Sequence, residues 1–275
     1  MFWLDKRHKK ASRSIPWSGR NCFIIGLLLW KEPREGWKER AVTVSERAVL
    51  HMRFTCGEVL RGPRTPEPLV RKRVRRAAKQ LRKLGITQAV LPEAFPYQEE
   101  LAKLGIRPVS TLPLRRALAA DWARAILAAR GLAPGSARVA VSGGQLTGEL
   151  VRTVTELALG CRYVLVDLSY DGEELCRQLR REYGVSLLLG PSREQLEGAD
   201  VLVLFAPRED LKRGNGAVLT LYEGGGEDLP PLLLPPALEE QLPVGCHRGQ
   251  MLAALREAGA LRTGQITVGA LAADA

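Results

Sequence analysis

The chain has 275 residues, 45% of them apolar and 26% charged, which is enough for one large α/β domain or two modest ones. Five cysteines (Cys22, Cys56, Cys161, Cys176, Cys246) and three histidines (His8, His51, His247) are scattered without Cys-x-x-Cys or metal-ligand spacing. That pattern argues against a disulfide framework and a zinc site, so the expected metal content is none and the expected compartment is a reducing cytoplasm.

The net charge of +11 is unevenly distributed. Residues 1–41 hold 10 Lys/Arg against 4 Asp/Glu, residues 42–83 hold 12 against 3, and residues 84–275 hold 19 against 23. The basic character therefore belongs to the first third of the chain.

Residues 1–41 read differently from the rest. Four of the five tryptophans (Trp3, Trp17, Trp30, Trp37) lie here, and no amphipathic period runs through the segment. The apolar run Cys22–Trp30 is 9 residues long, against the roughly 20 needed to span a bilayer, so no membrane span is expected. Lys31, Glu32 and Arg34 stand where a signal peptide would carry small residues. Lys38-Glu39 can be encoded by a bacterial ribosome-binding sequence and Val42 by an alternative start codon. The expectation is that residues 1–41 are a disordered or spurious extension of a bacterial protein.

From Val42 the pattern is globular. Ala48–Thr55 reads as a strand, and Leu69–Leu84 as a helix with Val70, Val74, Ala77, Ala78, Leu81 and Leu84 on one face. The opposite face is basic, with Arg71, Lys72, Arg73, Arg75, Arg76, Lys79, Arg82 and Lys83. Such a face is most often simply solvated; the sharper reading is nucleic acid or anionic lipid bound along helix 70–84. Strands Ile86–Leu91 and Ile106–Val109 with the short helix Tyr97–Leu104 complete a small α/β lobe over residues 42–112. Leu114–Arg130 reads as one connecting helix within residues 113–131.

The central unit follows. Strand Arg138–Val141 leads into Ser142-Gly143-Gly144-Gln145-Leu146-Thr147-Gly148; a helix runs to Gly160, and strand Tyr163–Val166 ends at Asp167. Strand, glycine turn, helix, strand and acid are the order of a dinucleotide-binding βαβ unit. Gly143 and Gly148 occupy the first and third places of G-x-G-x-x-G, Gln145 the second, and Gly144 comes one residue early. The expected cofactor-binding residues are Gly143, Gly144, Gln145, Gly148 and Asp167, and the expected cofactor is NAD or NADP. No Arg follows Asp167 directly, which favours NAD. Asp171 with Glu174 reads as a capping box. Strands starting at Val185, Val201 and Ala217 would complete a parallel sheet within residues 132–225, and residues 226–275 hold an irregular segment and a last helix.

The fold class expected is α/β, a Rossmann-like parallel sheet preceded by a smaller α/β lobe. Through Gly143, Gly148 and Asp167, and in lobe order over about residues 45–225, the chain resembles the two-lobed NAD(P)-binding dehydrogenases of the shikimate dehydrogenase and glutamyl-tRNA reductase type. That resemblance implies an oxidoreductase holding a small-molecule substrate between its lobes, near a lysine–aspartate pair or another polar cluster. No such pair is placed, since Lys79, Lys83 and Lys103 fall on polar faces and Asp121 inside the connecting helix. The catalytic residues are therefore unassigned. The alternative is a non-catalytic Rossmann-like protein with a degenerate nucleotide site and a regulatory or scaffold role. Cys246-His247 could suggest a nucleophile and base, but sequence neighbours point apart.

Overall fold

The computed structural model describes residues 25–33, 39–212, 216–224 and 229–269. The expectations for Trp3, Trp17, Cys22 and Trp37 lie outside the described residues.

The first lobe contains β1 (Gly26–Lys31), β2 (Val42–Val49), β3 (Met52–Leu60), α1 (Glu67–Lys83), β4 (Gln88–Val90), α2 (Gln98–Ala102) and β5 (Arg107–Pro108). They form a five-stranded sheet in the order β2-β3-β1-β4-β5, in which β2–β3 is antiparallel and the other pairs are parallel.

For residues 26–31 this corrects the expectation that residues 1–41 stand outside the fold. β1 is the central strand, paired to β3 from Gly26↔Thr55 to Lys31↔Leu60 and to β4 at Gly26↔Ala89 and Leu27↔Val90. Its apolar run is unbroken because both faces are covered, as in parallel sheets generally. Leu28 packs into a core with Val70, Val74 and Leu81 of α1. Leu27 and Leu29 enter the larger core that holds Leu118, Trp122 and Met251. At the start of the strand a Cβ on Gly26 would sit 2.8 Å from Ile86 Cγ2, so β1 and the chain entering β4 approach through a missing side chain.

The single strand expected at Ala48–Thr55 is instead a hairpin. β2 turns into β3 at Leu50 (φ 45°) and His51 (φ 67°), two residues in left-handed conformation. Neither is the Asn or Gly that ordinarily marks such a turn, and so the sequence pattern does not show it. Leu50 is held there by burial in the large core.

The connecting helix is two helices, α3 (Leu112–Ala117) and α4 (Ala119–Ala129), broken at Leu118 (φ −106°, ψ 11°). The sequence at the break contains neither proline nor glycine. After it come β6 (Arg138–Gly143), α5 (Gly148–Gly160), β7 (Tyr163–Leu168), α6 (Gly172–Tyr183), β8 (Leu188–Leu189), α7 (Arg193–Glu197), β9 (Val201–Leu204) and β10 (Ala217–Thr220). These strands make a wholly parallel sheet in the order β10-β9-β6-β7-β8. The first strand, β6, is central; the chain winds outward through β7 and β8 on one side, then returns through β9 and β10 on the other, in the doubly wound Rossmann manner. The direction of winding reverses between β6 and β9. The expected box at Asp171 is absent. Asp171 takes φ 62° and its side chain makes no capping bond. The box lies at α7 instead, where Ser192 and Gln195 cap reciprocally.

The remaining elements are β11 (Leu232–Leu233), α8 (Pro236–Glu239), α9 (Arg248–Glu257) and β12 (Thr267–Val268), with β11 and β12 paired antiparallel. The segment is more than an irregular tail, because Met251, Leu252, Ala254 and Leu255 of α9 are fully buried in the large core. Trp122 of α4 donates its indole N–H to Pro230 O at 2.9 Å and fixes the chain on the way to β11. Among the described residues no helix is long and apolar enough to cross a membrane.

Removing β1 should therefore disable the fold. A chain beginning at Val42 should lose cooperative urea unfolding, read by far-ultraviolet circular dichroism, and in the full chain Leu28→Ala should cost about 2–5 kcal/mol. A Val42 chain that unfolds with an unchanged midpoint would contradict the central placement of β1.

Candidate functional site

Each residue of the glycine turn has a distinct position. Gly143 ends β6 and is buried, and a Cβ there would collide with Leu150 Cδ1 of α5. Gly143 thus permits close strand–helix packing, the role the fingerprint gives to its third glycine. Gly148 has that third place in sequence, yet nothing lies within 4 Å of a Cβ built on it, and the same holds for Gly144. Gly144, Gln145 and Gly148 are all exposed, around the mouth of the turn. Thr147 caps α5, its Oγ1 accepting from Leu150 N at 3.3 Å. The open turn leads into the N-terminus of the 13-residue helix α5 beside the strand-order reversal, and backbone N–H groups at a helix N-terminus favour anions.

Asp167 lies at the carboxyl end of β7, in register with Ser142 of β6. Its Oδ2 accepts from Ser142 Oγ at 2.7 Å and from Arg208 Nη1. Arg208 comes from the loop after β9, so its guanidinium crosses the end of β6, where Nη1 also reaches Ser142 Oγ at 3.1 Å. The other edge of the guanidinium holds Asp210 with two bonds, Nε to Oδ1 at 2.8 Å and Nη2 to Oδ2 at 2.9 Å. This fork geometry pushes the Asp210 carboxyl down to about 2. It also raises Arg208 further above the ordinary arginine value, hydrogen bonding to Asp210 being the largest cause. Among the described residues no hydrogen bond reaches Asp167 Oδ1. Sequence reasoning found no arginine next to Asp167; the fold supplies one from 41 residues downstream, with no local signal to announce it.

Between the lobes lies a cleft of about 740 Å³, formed where the carboxyl ends of β4, β5 and β10 meet the start of α9. Gln250 is 8% exposed; its Oε1 accepts from Leu91 N at 2.9 Å, fixing the side chain across the two lobes. Its amide nitrogen has no partner among the described residues. His247 caps α9, Nδ1 accepting from Gln250 N at 3.3 Å, so a neutral ring carries its proton on Nε2. Gln98, Ser110, Thr111, Arg115, Tyr222 and Glu223 complete the polar lining. Arg115 and Arg116 of α3 donate to Thr220 O at 2.7 Å and Leu221 O at 2.9 Å, which fastens the connecting helices to the end of β10.

Among the described residues no lysine–aspartate pair of the kind implied by the resemblance lines this cleft. Lys79 and Lys83 are exposed on α1, and Asp121 pairs with Arg124 at 2.6 Å. Cys246 is no nucleophile beside His247. It is buried, its Sγ donates to Pro243 O at 3.2 Å, and burial raises its thiol above the ordinary range, opposing the thiolate. Among the described residues no group of three or more His, Cys, Asp or Glu is placed to hold a metal ion.

Two outcomes follow from this geometry. Gly143→Ala should destabilise the protein by about 1–3 kcal/mol through overpacking against Leu150. Gly144→Ala, which meets open space, should change the urea midpoint little. The Asp210 carboxyl should titrate near 2 by NMR, below its ordinary 3.8. Because its folded value is depressed, the pair stabilises the protein above about pH 4 and loses that contribution as pH falls toward 2. An unshifted Asp210 would break the fork.

No protein-family model matches the sequence, and no curated protein matches it. Solved structures do show similarity. The chain is 14% identical to L-tryptophan dehydrogenase from Nostoc punctiforme, covering 55% of this chain and 44% of that one, with a TM-score of 0.27. It thus spans less than half of that protein's length. It is 12% identical to shikimate 5-dehydrogenase from Listeria monocytogenes, solved with shikimate and NAD, over 89% of this chain and 93% of that one, with a TM-score of 0.31. Shikimate dehydrogenase from Aquifex aeolicus is 13% identical over 61% of this chain and 68% of that one, with a TM-score of 0.23.

Proposed function

We propose that the chain is a nicotinamide-dinucleotide-dependent oxidoreductase. NAD or NADP would lie along the carboxyl edge of the second sheet, and a small polar metabolite would occupy the cleft between the lobes. The observation that carries this reading is the place of the glycine turn. It opens beside the reversal of strand order, on the same side as the carboxyl ends that border the cleft, where ligands of open α/β sheets bind. The open space at Gly144 and Gly148 fits a group held closely against the backbone.

In this reading Gly144, Gln145, Gly148 and the α5 N-terminus would hold the diphosphate through backbone N–H groups. Gly143 would act indirectly by setting the packing of α5. Asp167 would accept a ribose hydroxyl on Oδ1, while Ser142 and Arg208 hold Oδ2 and fix the direction of the carboxylate. When bound, the cofactor would supply hydride chemistry that side chains alone lack. In the cleft, the Gln250 amide would orient a carbonyl or hydroxyl of the substrate, and the His247 Nε2–H would donate a hydrogen bond to a substrate oxygen.

Thermal unfolding of the full chain with millimolar NAD or NADP tests this proposal. A ligand that binds only the folded state should add about 2.7 kcal/mol at a hundredfold excess over its dissociation constant. Gly144→Asp, which meets no steric obstacle, should abolish the shift without lowering the midpoint of the free protein. No shift with either dinucleotide would overturn the reading.

A further inference from the structure

Helix α1 packs on one face of the first sheet beside α2. Val70, Val74, Ala77, Ala78 and Leu81, each at most 2% exposed, pack inward, Arg73 donates to Leu60 O, and the other basic residues of the helix are exposed. Those bases are not equivalent. Arg71 donates to Glu67 at 2.8 Å, and Arg75 grips Glu100 with bonds of 2.6 and 3.0 Å. Glu67 and Glu100 are therefore already engaged. Lys72, Arg76, Lys79 and Lys83 have no carboxylate partner among the described residues, and all four are exposed. Their spacing of i, i+4, i+7 and i+11 places them on a single stripe. At 1.5 Å per residue the stripe is about 16 Å long. Four like charges in line oppose one another, and nothing in the fold of the lobe requires the arrangement.

We infer that this stripe is a docking surface for the phosphate backbone of double-stranded nucleic acid. Complementarity of charge and shape supports this occupant. A duplex presents one negative charge per roughly 1.7 Å of axis, so a straight, rigid row of four cations can face phosphates along its whole length. An anionic membrane fits less well, because a helix lying in a bilayer interface inserts an apolar face. The apolar face of α1 is committed to the sheet. The contact proposed is with backbone phosphates, which position a protein on the duplex without carrying sequence information directly. It is independent of the proposed dinucleotide site.

The test is fluorescence anisotropy of the full chain with a labelled 20-base-pair DNA duplex of mixed sequence, across salt concentrations. Four phosphate contacts predict a slope of log affinity against log salt of about −3.6. Arg76→Glu with Lys79→Glu should weaken binding at least tenfold and bring the slope to about half that value or less, with the thermal midpoint unchanged. Absence of binding at 50 mM salt would overturn the proposal. So would binding that the double variant leaves intact, which would place the contact elsewhere. Sedimentation with phosphatidylserine vesicles without any binding to the duplex would likewise reject it and assign the stripe to membranes.

Discussion

Strand β1 is the constraint on which both lobes depend, because each of its faces closes a different core and each of its edges pairs a different strand. Leu28 seals the core under α1, while Leu27 and Leu29 help seal the core shared with α4, the second sheet and α9. Burial of three leucines contributes about 5–9 kcal/mol at 1.5–3 kcal/mol each, a large share of the stability of a typical domain. The geometry is as demanding as the energy. A side chain at Gly26 would push β1 away from Ile86 and the start of β4, and the carboxyl ends bordering the cleft would shift with it.

The second sheet shows the same economy at its carboxyl edge. Gly143 serves packing while Gly144 leaves open space, so the packing role falls on the first glycine of the turn where the fingerprint gives it to the third. Arg208 ties the ends of β9, β6 and β7 into one polar network, a fixed frame around the open α5 N-terminus. Gln250 and Arg115 have the corresponding role at the cleft, the first joining α9 to the end of β4 and the second joining α3 to β10.

How much of this is legible in the sequence depends on the range over which each signal acts. The β6-turn-α5-β7 unit is contiguous, with its periodicity and glycines inside about 30 residues, and its place in the sheet follows. The amphipathic period of α1 is likewise local. β1 escapes sequence reading because nine apolar residues flanked by charges carry no period, and its partners come from residues 55–60 and 89–90. The hairpin at Leu50–His51 escapes it because tertiary burial of Leu50, rather than turn chemistry, holds the backbone there. Arg208 and Gln250 reach Asp167 and Leu91 across 41 and 159 residues, and composition holds no trace of such pairings. The strand ends near Tyr222 could be placed at the cleft by topology alone.

The position of β1 also bears on how the chain emerges from a ribosome. Its last residue is made well before Met52–Leu60, and its second edge waits for Gln88–Val90. At 5–20 residues per second, roughly 60 intervening residues correspond to about 3–12 s during which an apolar strand has at least one unpaired edge. Such an edge is a template for pairing with other chains. The strand that unites the finished protein is thus a hazard during its synthesis, and shielding of the nascent segment by a chaperone would matter most in that interval.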